Sequence, residues 1–406
     1  NRFSFIGSPV AGMDISSLGA GFHYSYNTSN DTYSAFSGTM EAGKGYTSAG
    51  KGALVFTGIP NSGTINVTLD NSGNGYNFVA NPYAASLNRS AFVAGNGSID
   101  GTIYLWDDGG SNTSQRSDAD FVTVTNAGVV SGGSSGSGAS FNGFIGATQG
   151  FFVKASTAGN VTFTEVMRDN GNNADGNFYR SDNSVKSFKL YVSSEINRDE
   201  TLIAFHESGT SAYDRMWDAE KLIANEELSV ATILTNEMEL AIQTLPVIED
   251  ITDFIEIPVR LSLIEESQLT FSLTEYSLDE GFEVLLIDLS NEKEYNLAEG
   301  VTLRIPSGDN DRFMLKVMRS AVISSVIELN SNVSLFVDAD NILKLSIPEL
   351  TGDATITLYD LNGKVFNRST LHFDQHGKAN LKLKKLIEEG VYISKIQQGE
   401  ATYTTK

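Results

Sequence analysis

The chain contains no cysteine. Disulfides, thiolate metal sites and a cysteine nucleophile are therefore excluded. Histidine is scarce: His23, His206, His372 and His376 are the only four, too few for a multi-histidine zinc centre to be expected. No stretch approaches the ~18 consecutive apolar residues of a membrane-spanning helix. Positive charge is also in short supply, with 28 Lys and Arg against 50 Asp and Glu and a net charge of −22. Polyanions repel such a chain, which argues against nucleic acid and anionic membrane surfaces as partners. No basic-plus-apolar signal segment precedes Asn1, so the sequence reads as a processed protein or as part of a longer one.

What is present suits a protein with real cores. The chain has 406 residues, 40% of them hydrophobic, and at roughly 150 residues per domain this suggests two or three domains. Composition changes near residue 180. Residues 1–180 hold 29 of the 38 glycines and few charges. Residues 181–326 carry most of the acidity, and residues 327–406 are close to neutral. We expect an all-β, multidomain protein: a glycine-rich duplicated β domain over 1–180, an acidic β-sandwich over 181–326 and a second β-sandwich over 327–406.

The first segment is written in short β-branched or aromatic runs bounded by Gly, Asn, Ser or Asp: Phe3–Ile6, Ala53–Phe56, Thr64–Leu69, Ile103–Trp106, Phe121–Thr125, Phe151–Lys154 and Val161–Phe163. Apolar periodicity of 3.6 residues is missing, so long helices are not expected. The segment repeats itself. Phe5–Val10 (FIGSPV) matches Phe78–Tyr83 (FVANPY), His23–Asn27 (HYSYN) matches Ile103–Asp107 (IYLWD), and Gly43–Gly58 resembles Thr148–Glu165. The matches fall in the same order. One such unit buries little core alone, so the two copies should pack into one domain.

The middle segment offers about seven strand-like runs, including Val185–Val192, Thr201–His206, Glu239–Thr244 and Phe254–Leu263, as a sandwich needs. Asp214–Asn225 reads as a short helix or turn cluster. In the last segment Leu343–Ile347, Thr355–Tyr359, Ala379–Leu383 and Val391–Ile396 alternate. Asn362-Gly363, His376-Gly377, Glu389-Gly390 and Gln398-Gly399 mark the turns.

That last segment resembles the type A C-terminal sorting domain of the type IX secretion system. The stretch Ala354–Phe366 has the family's apolar strand, then Tyr359-Asp360, then the turn Asn362-Gly363-Lys364. Lys378–Glu400 follows the second half of the pattern, with Gly390-Val391-Tyr392 and Lys395. Two departures are visible: Phe336–Asp340 stands where many members have Pro-Asn-Pro, and the chain ends in the polar run Tyr403–Lys406. The resemblance implies export across the outer membrane of a Gram-negative cell to the surface or medium. It names the translocon, with its attachment or sortase machinery, as partner. Tyr76–Tyr83, Ile103–Asp107 and Gln149–Val153 resemble a recurrent surface-protein β module. Phe178–Arg180, Tyr213-Asp214 and Asp311–Phe313 resemble the sandwich that often precedes the sorting domain.

Candidate chemistry is thin. Gly132–Gly136 satisfies G-x-S-x-G, but no helix is expected after it, as a nucleophile elbow requires. Gly45–Gly52 nearly matches a phosphate-binding loop, yet Gly52 occupies the hydroxyl position and no βαβ context follows. Asp169, Asn173, Asp175 and Asn177 place oxygen ligands at alternating positions, and calcium is the metal such a loop would take; no other cofactor is indicated. Asp107, Asp108, Asp118 and Asp120 follow Trp106, and paired carboxylates can hydrolyse glycosides at suitable separation. Tyr104 and Trp106 could stack on sugar rings of an extracellular polysaccharide. The expectation is a non-enzymatic surface protein, adhesin-like or gliding-associated. The alternative is a carbohydrate-binding or glycoside-hydrolysing protein whose active module lies in the first segment or upstream of Asn1.

Overall fold

A computed structural model gives the architecture. It describes residues 3–19, 21–49, 53–107, 121–131, 141–169, 185–222, 227–248, 254–279, 281–319, 334–337, 341–348, 350–359, 365–383, 393–398 and 401–405. The protein is all-β. Among the described residues the one α-helix is α1 (Arg89–Ala94), capped by Asn88, whose side chain accepts from the Ala91 N–H at 2.9 Å. The chain divides into two compact units, Asn1–Arg319 and Ser320–Lys406.

The first unit begins with strands β1 (Ser4–Ile6), β2 (Phe22–Asn27), β3 (Thr32–Ala35), β4 (Tyr46–Ala49) and β5 (Ile65–Leu69). The second copy supplies β6 (Tyr76–Ala80), β7 (Ser86–Asn88), β8 (Ile103–Trp106), β9 (Phe121–Val124), β10 (Val129–Ser131), β11 (Phe144–Ile145), β12 (Gly150–Lys154), β13 (Gly159–Phe163) and β14 (Arg168–Asp169). The matched sequences occupy matched strands. In the first sheet β4 lies between β1 and β2, with β3 outside β2. In the second, β12 lies between β6 and β8, with β9 outside β8. The strands that follow, β5 and β13, pair with each other over Ile65–Leu69.

The two copies also exchange the same hydrogen bond. Gly7 N–H donates to Thr148 O at 2.8 Å, and Ala80 N–H donates to Gly43 O at 2.9 Å. By the sequence match Gly7 corresponds to Ala80, and Gly43 to Thr148. Backbones approach closely here. A Cβ on Gly7 would fall 2.3 Å from the Ala80 Cβ. One on Gly45 would fall 2.4 Å from the Phe78 ring, and one on Gly150 would meet the backbone of Phe5 and Ile6 at 2.9 Å. Gly45 corresponds to Gly150, and Phe78 to Phe5, so one packing solution is used twice.

Each copy then buries its other face. Ile6, Val10, Met13, Ile15, Met40 and Tyr46 form one small core, while Val79, Phe92, Ile103, Phe151 and Phe163 belong to a larger one. The expected strand Ala53–Phe56 is absent. Its alternation is real, since Leu54 and Phe56 pack on the first core and Val55 is exposed. No ladder forms there, and the strand of the first copy that pairs is the later β5.

The acidic segment adds β15 (Lys186–Ser193), β16 (Arg198–Phe205), β17 (Ala219–Glu220), β18 (Leu228–Ile233), β19 (Glu239–Leu245), β20 (Phe254–Leu263), β21 (Ser267–Thr274), β22 (Phe282–Asp288), β23 (Lys293–Asn296), β24 (Val301–Ile305) and β25 (Gly308–Arg319). They form one sheet in the order β23-β22-β25-β20-β18-β19-β16-β15-β21-β24, with β17 added beside β19. Alternation drives it. Ile257, Val259, Leu261 and Leu263 of β20 point inward with Phe313, Leu315 and Val317 of β25, against Phe188, Leu190 and Val192 of β15. Of the expected helix or turn cluster Asp214–Asn225, Arg215–Trp217 form a turn and Ala219–Glu220 are strand β17, while residues 223–225 fall outside the described residues.

The second unit holds β26 (Ser334–Val337), β27 (Ile342–Ser346), β28 (Gly352–Tyr359), β29 (Val365–Phe373), β30 (Lys378–Lys382), β31 (Ile393–Gln398) and β32 (Ala401–Thr405). Two sheets, β26-β27-β30 and β29-β28-β31-β32, enclose Leu343, Leu345, Ile356, Leu358, Leu381 and Ile396.

The glycine contact sets an expectation. Gly7→Ala should destabilise the first unit by about 1–3 kcal/mol, the usual cost of overpacking. Gly97→Ala, with open space around its Cβ position, should change little. Urea denaturation of both variants measures the difference.

Candidate functional site

The faces of the two copies opposite their own cores meet in a cleft of about 600 Å³. Successive residues of a strand point to opposite sides. Ile103 therefore enters the core of the second copy, while Tyr104 and Trp106 line the cleft. The lining is paired by the duplication. Phe5 corresponds to Phe78, Tyr24 to Tyr104, Tyr26 to Trp106 and Thr47 to Phe152. Phe78 packs beside Phe5 as part of the same aromatic cluster, and the others line the cleft. The pattern extends outward. Tyr33 opposes Tyr26 across the β2–β3 ladder, as Phe121 opposes Trp106 across β8–β9. Phe3 and Tyr76, related by the offset that relates Phe5 to Phe78, also line it.

The inner end is packed. Phe78 and Phe152 stack with ring centres 4.6 Å apart, and Phe5 touches Phe78 at 4.7 Å and Trp106 at 5.1 Å. Such contacts are worth roughly 0.5–1.5 kcal/mol each beyond the area they bury. The outer end carries polar groups. Tyr26 Oη donates to Asp31 Oδ1 at 2.6 Å, and Asn74 Nδ2 donates to Asp31 Oδ2 at 2.8 Å. Burial, with Asp31 adding to it, pushes the Tyr26 hydroxyl well above its ordinary range. Three polar atoms in the wall have no hydrogen-bond partner: Tyr104 Oη, Trp106 Nε1 and Thr47 Oγ1. Burial also raises the Tyr104 hydroxyl. Among the described residues Leu222 is the one lining residue from the acidic segment.

Leu222 is held there by a junction running from Asp214. Arg215 is its anchor. Its guanidinium donates to Ile99 O at 2.8 Å and Asn96 O at 2.7 Å, just after α1. Met216 N–H donates to Asp100 O at 3.1 Å, and Asn126 N–H to Met216 O at 2.8 Å. Met216 has φ 75°, a left-handed conformation uncommon outside glycine. Lys154 pairs with Glu220. Asp218 accepts from Thr244 N–H at 2.6 Å and Asp214 N–H at 2.9 Å. Asp100 lies beneath. Its Oδ1 accepts from Thr102 N–H at 2.9 Å, while its buried Oδ2 has no partner. Burial pushes the Asp100 carboxyl up to about 7. The buried Arg89 nearby spends its guanidinium on Gly101 O at 2.7 Å and on Asn126.

The other candidates from the sequence are dispersed. Of the calcium set, Asp169 lies in β14, where its carbonyl accepts from Ser86 Oγ; Asn173, Asp175 and Asn177 fall outside the described residues. So do Asp108, Asp118, Asp120 and the G-x-S-x-G run. Of the phosphate-loop look-alike, Tyr46–Ala49 form strand β4 and are all buried; Gly50, Lys51 and Gly52 fall outside the described residues. His206 stacks on Trp217 at 3.9 Å, and the exposed His372 meets Asp353 at 2.6 Å. In the sorting segment Tyr359 ends β28 opposite Val365 and Ile393, and Lys395 is an exposed residue of β31. Asp360, Asn362, Gly363, Lys364, Gly390 and Tyr392 lie outside the described residues. Of the residues the sequence singled out, Tyr104 and Trp106 line the cleft. Tyr24 and Tyr26 were missed, although the repeat alignment already set these beneath them.

Residues 339–406 match the family described as Secretion system C-terminal sorting domain. The chain is therefore a cargo protein of the type IX secretion system, exported out of the cell. Residues 2–316, most of the chain, match the family described as Domain of unknown function (DUF8693), and the chain belongs to it. No curated protein and no solved structure matches.

The raised Asp100 carboxyl has a consequence for stability. Between its ordinary value of 3.8 and its folded value of about 7, the unfolded chain gives up a proton that the folded chain keeps. Stability should fall as pH rises through that window and level off above it. Asp100→Asn removes this term. The variant should gain on the parent by on the order of 3 kcal/mol between pH 4 and pH 8, read from denaturation midpoints at each pH.

Proposed function

We propose that this cargo works outside the cell by binding rather than by catalysis, as an adhesin-like protein displayed at the cell surface, with the aromatic cleft as its ligand site. The observation that carries the reading is the lining itself. Two sets of aromatic side chains, matched by position, converge on one cavity whose size lies in the usual range for ligand sites, about 300–1,000 Å³. Buried polar atoms without partners stand in its wall, and such atoms are normally satisfied.

Hydrolysis is the less supported reading. Among the described residues Asp31 is the single carboxylate in the cleft lining, whereas glycoside hydrolysis ordinarily uses two. Asp31 also already accepts from Tyr26 and Asn74. The near-neutral sorting unit suits docking to the translocon, because it escapes the repulsion that the acidic segment would add. Exposed strand edges are a known route for such recognition.

Two measurements test the proposal. Deleting Val326–Lys406 should trap the protein in the periplasm, seen as loss of antibody labelling on intact cells. In the full-length protein, Trp106→Ala should leave surface labelling intact and abolish attachment of cells to the surfaces the parent colonises. Attachment equal to the parent would refute a binding role for the cleft.

A further inference from the structure

The cleft has three properties that together narrow its ligand. First, among the described residues its lining contains no Lys, Arg or His. Its single carboxylate is held by two donors, and the chain around it carries a net charge of −22. An anionic ligand would meet repulsion, since the cation beside the described lining, Lys154 over the Tyr76 ring, is already paired with Glu220. Second, the walls are aromatic rather than aliphatic, Leu222 being the only aliphatic residue among the described residues that line it. An acyl chain gains nothing from the flatness of aromatic rings. A ring that presents a C–H face does, and its hydroxyls can meet the polar groups at the outer end of the cleft, Asp31 and Asn74. Third, the lining comes twice. Tyr24 and Tyr26 of β2 stand at the positions that Tyr104 and Trp106 occupy in β8, so two similar surfaces face one cavity.

From these we infer that the cleft binds a neutral polysaccharide chain, the two repeats contacting neighbouring sugar units of one strand. This inference rests on the reading of the cleft as the binding site and names what it binds. Uncharged rings satisfy the charge pattern. Stacking on the part-exposed faces of Tyr24, Tyr26, Tyr76 and Trp106 supplies the apolar part of the affinity, and Asp31 and Asn74 at the outer end supply orientation. The doubled lining accounts for a preference for chains over single sugars, because the second unit is held without a second loss of translational freedom.

The protein carries its own reporter. It has two tryptophans. Trp106 lies in the cleft, and Trp217 stacks on His206 elsewhere. In the full chain with Trp217→Phe, fluorescence reports Trp106 alone. That protein is titrated with neutral oligosaccharides of increasing length (cello-, xylo-, manno- and malto-series). Parallel arms use alginate oligomers, choline and palmitate. One neutral series should shift the emission, and its longer members should bind more tightly than the disaccharide. Tyr26→Ala should weaken binding and, because it also removes the Asp31 hydrogen bond and the Phe152 contact, should lower the denaturation midpoint. Tyr26→Phe keeps the ring and should keep most of the stability and part of the affinity. The Tyr26→Ala loss of affinity should be about tenfold or more, as for a central aromatic contact. Trp106→Phe, read by calorimetry, keeps the packing and should retain part of the affinity.

Binding of alginate, choline or palmitate in place of every neutral series would overturn the inference. So would neutral-sugar binding that survives Tyr26→Ala unchanged, or no binding in any arm. If cell attachment depends on Trp106 while no neutral glycan binds, the cleft remains a binding site and only the assignment of its ligand fails.

Discussion

The approach of two backbones, Gly7 against Ala80, is the contact on which the N-terminal half of the protein depends. Around it Gly45 accommodates the Phe78 ring and Gly150 leaves room for Phe5. Side chains at these glycine positions would push the two sheets apart. The reciprocal hydrogen bonds between the copies would then lengthen, and the aromatic faces would no longer converge. The high glycine content of this segment is thus partly a packing requirement. The cleft is a product of the duplication, because one copy alone would present its aromatic face to water, which a stable domain avoids.

Much of this was legible in the sequence, for physical reasons that can be named. Strands such as Phe254–Leu263 and Ile103–Trp106 were visible because alternation survives wherever one face is buried and the other is not. Tyr104 and Trp106 stood out as large amphipathic side chains at i and i+2, hence on one face. The duplication was legible in three short matches because those segments carry the contacts between copies. Other features were not legible. Ala53–Phe56 has a strand's alternation without a strand's partner, and pairing is a nonlocal property. Leu228–Ile233 escaped notice although it lies inside the acidic sheet; its inward and outward residues are nearly all buried, which erases the alternation. Asp31 and Asn74 meet only in three dimensions, across 43 residues. The compositional change near residue 180 is real, yet the chain on either side of it shares one compact unit up to Arg319.

The acidic segment tolerates its charge because its few cations are placed among its carboxylates. Arg260 meets Asp311 through two bonds at 2.6 and 2.7 Å and also reaches Glu237 and Glu239. Lys189 lies between Glu200 and Glu275, and Lys221 is buried with Asp199 at 2.6 Å. Breaking one such buried pair costs more than the pair contributes, since the survivor is left uncompensated. The remaining carboxylates give the surface its sign, which favours solubility of an exported protein and discourages association with other acidic surfaces.

Arg215 reaches from the acidic segment into the glycine-rich one and occupies carbonyl oxygens at the end of α1. An excised fragment stopping near residue 180 would lose that guanidinium, and the carbonyls of Ile99 and Asn96 would have to find solvent instead. Leu222 would go as well, opening one wall of the aromatic cavity. A piece cut after Arg319 keeps that joint whole.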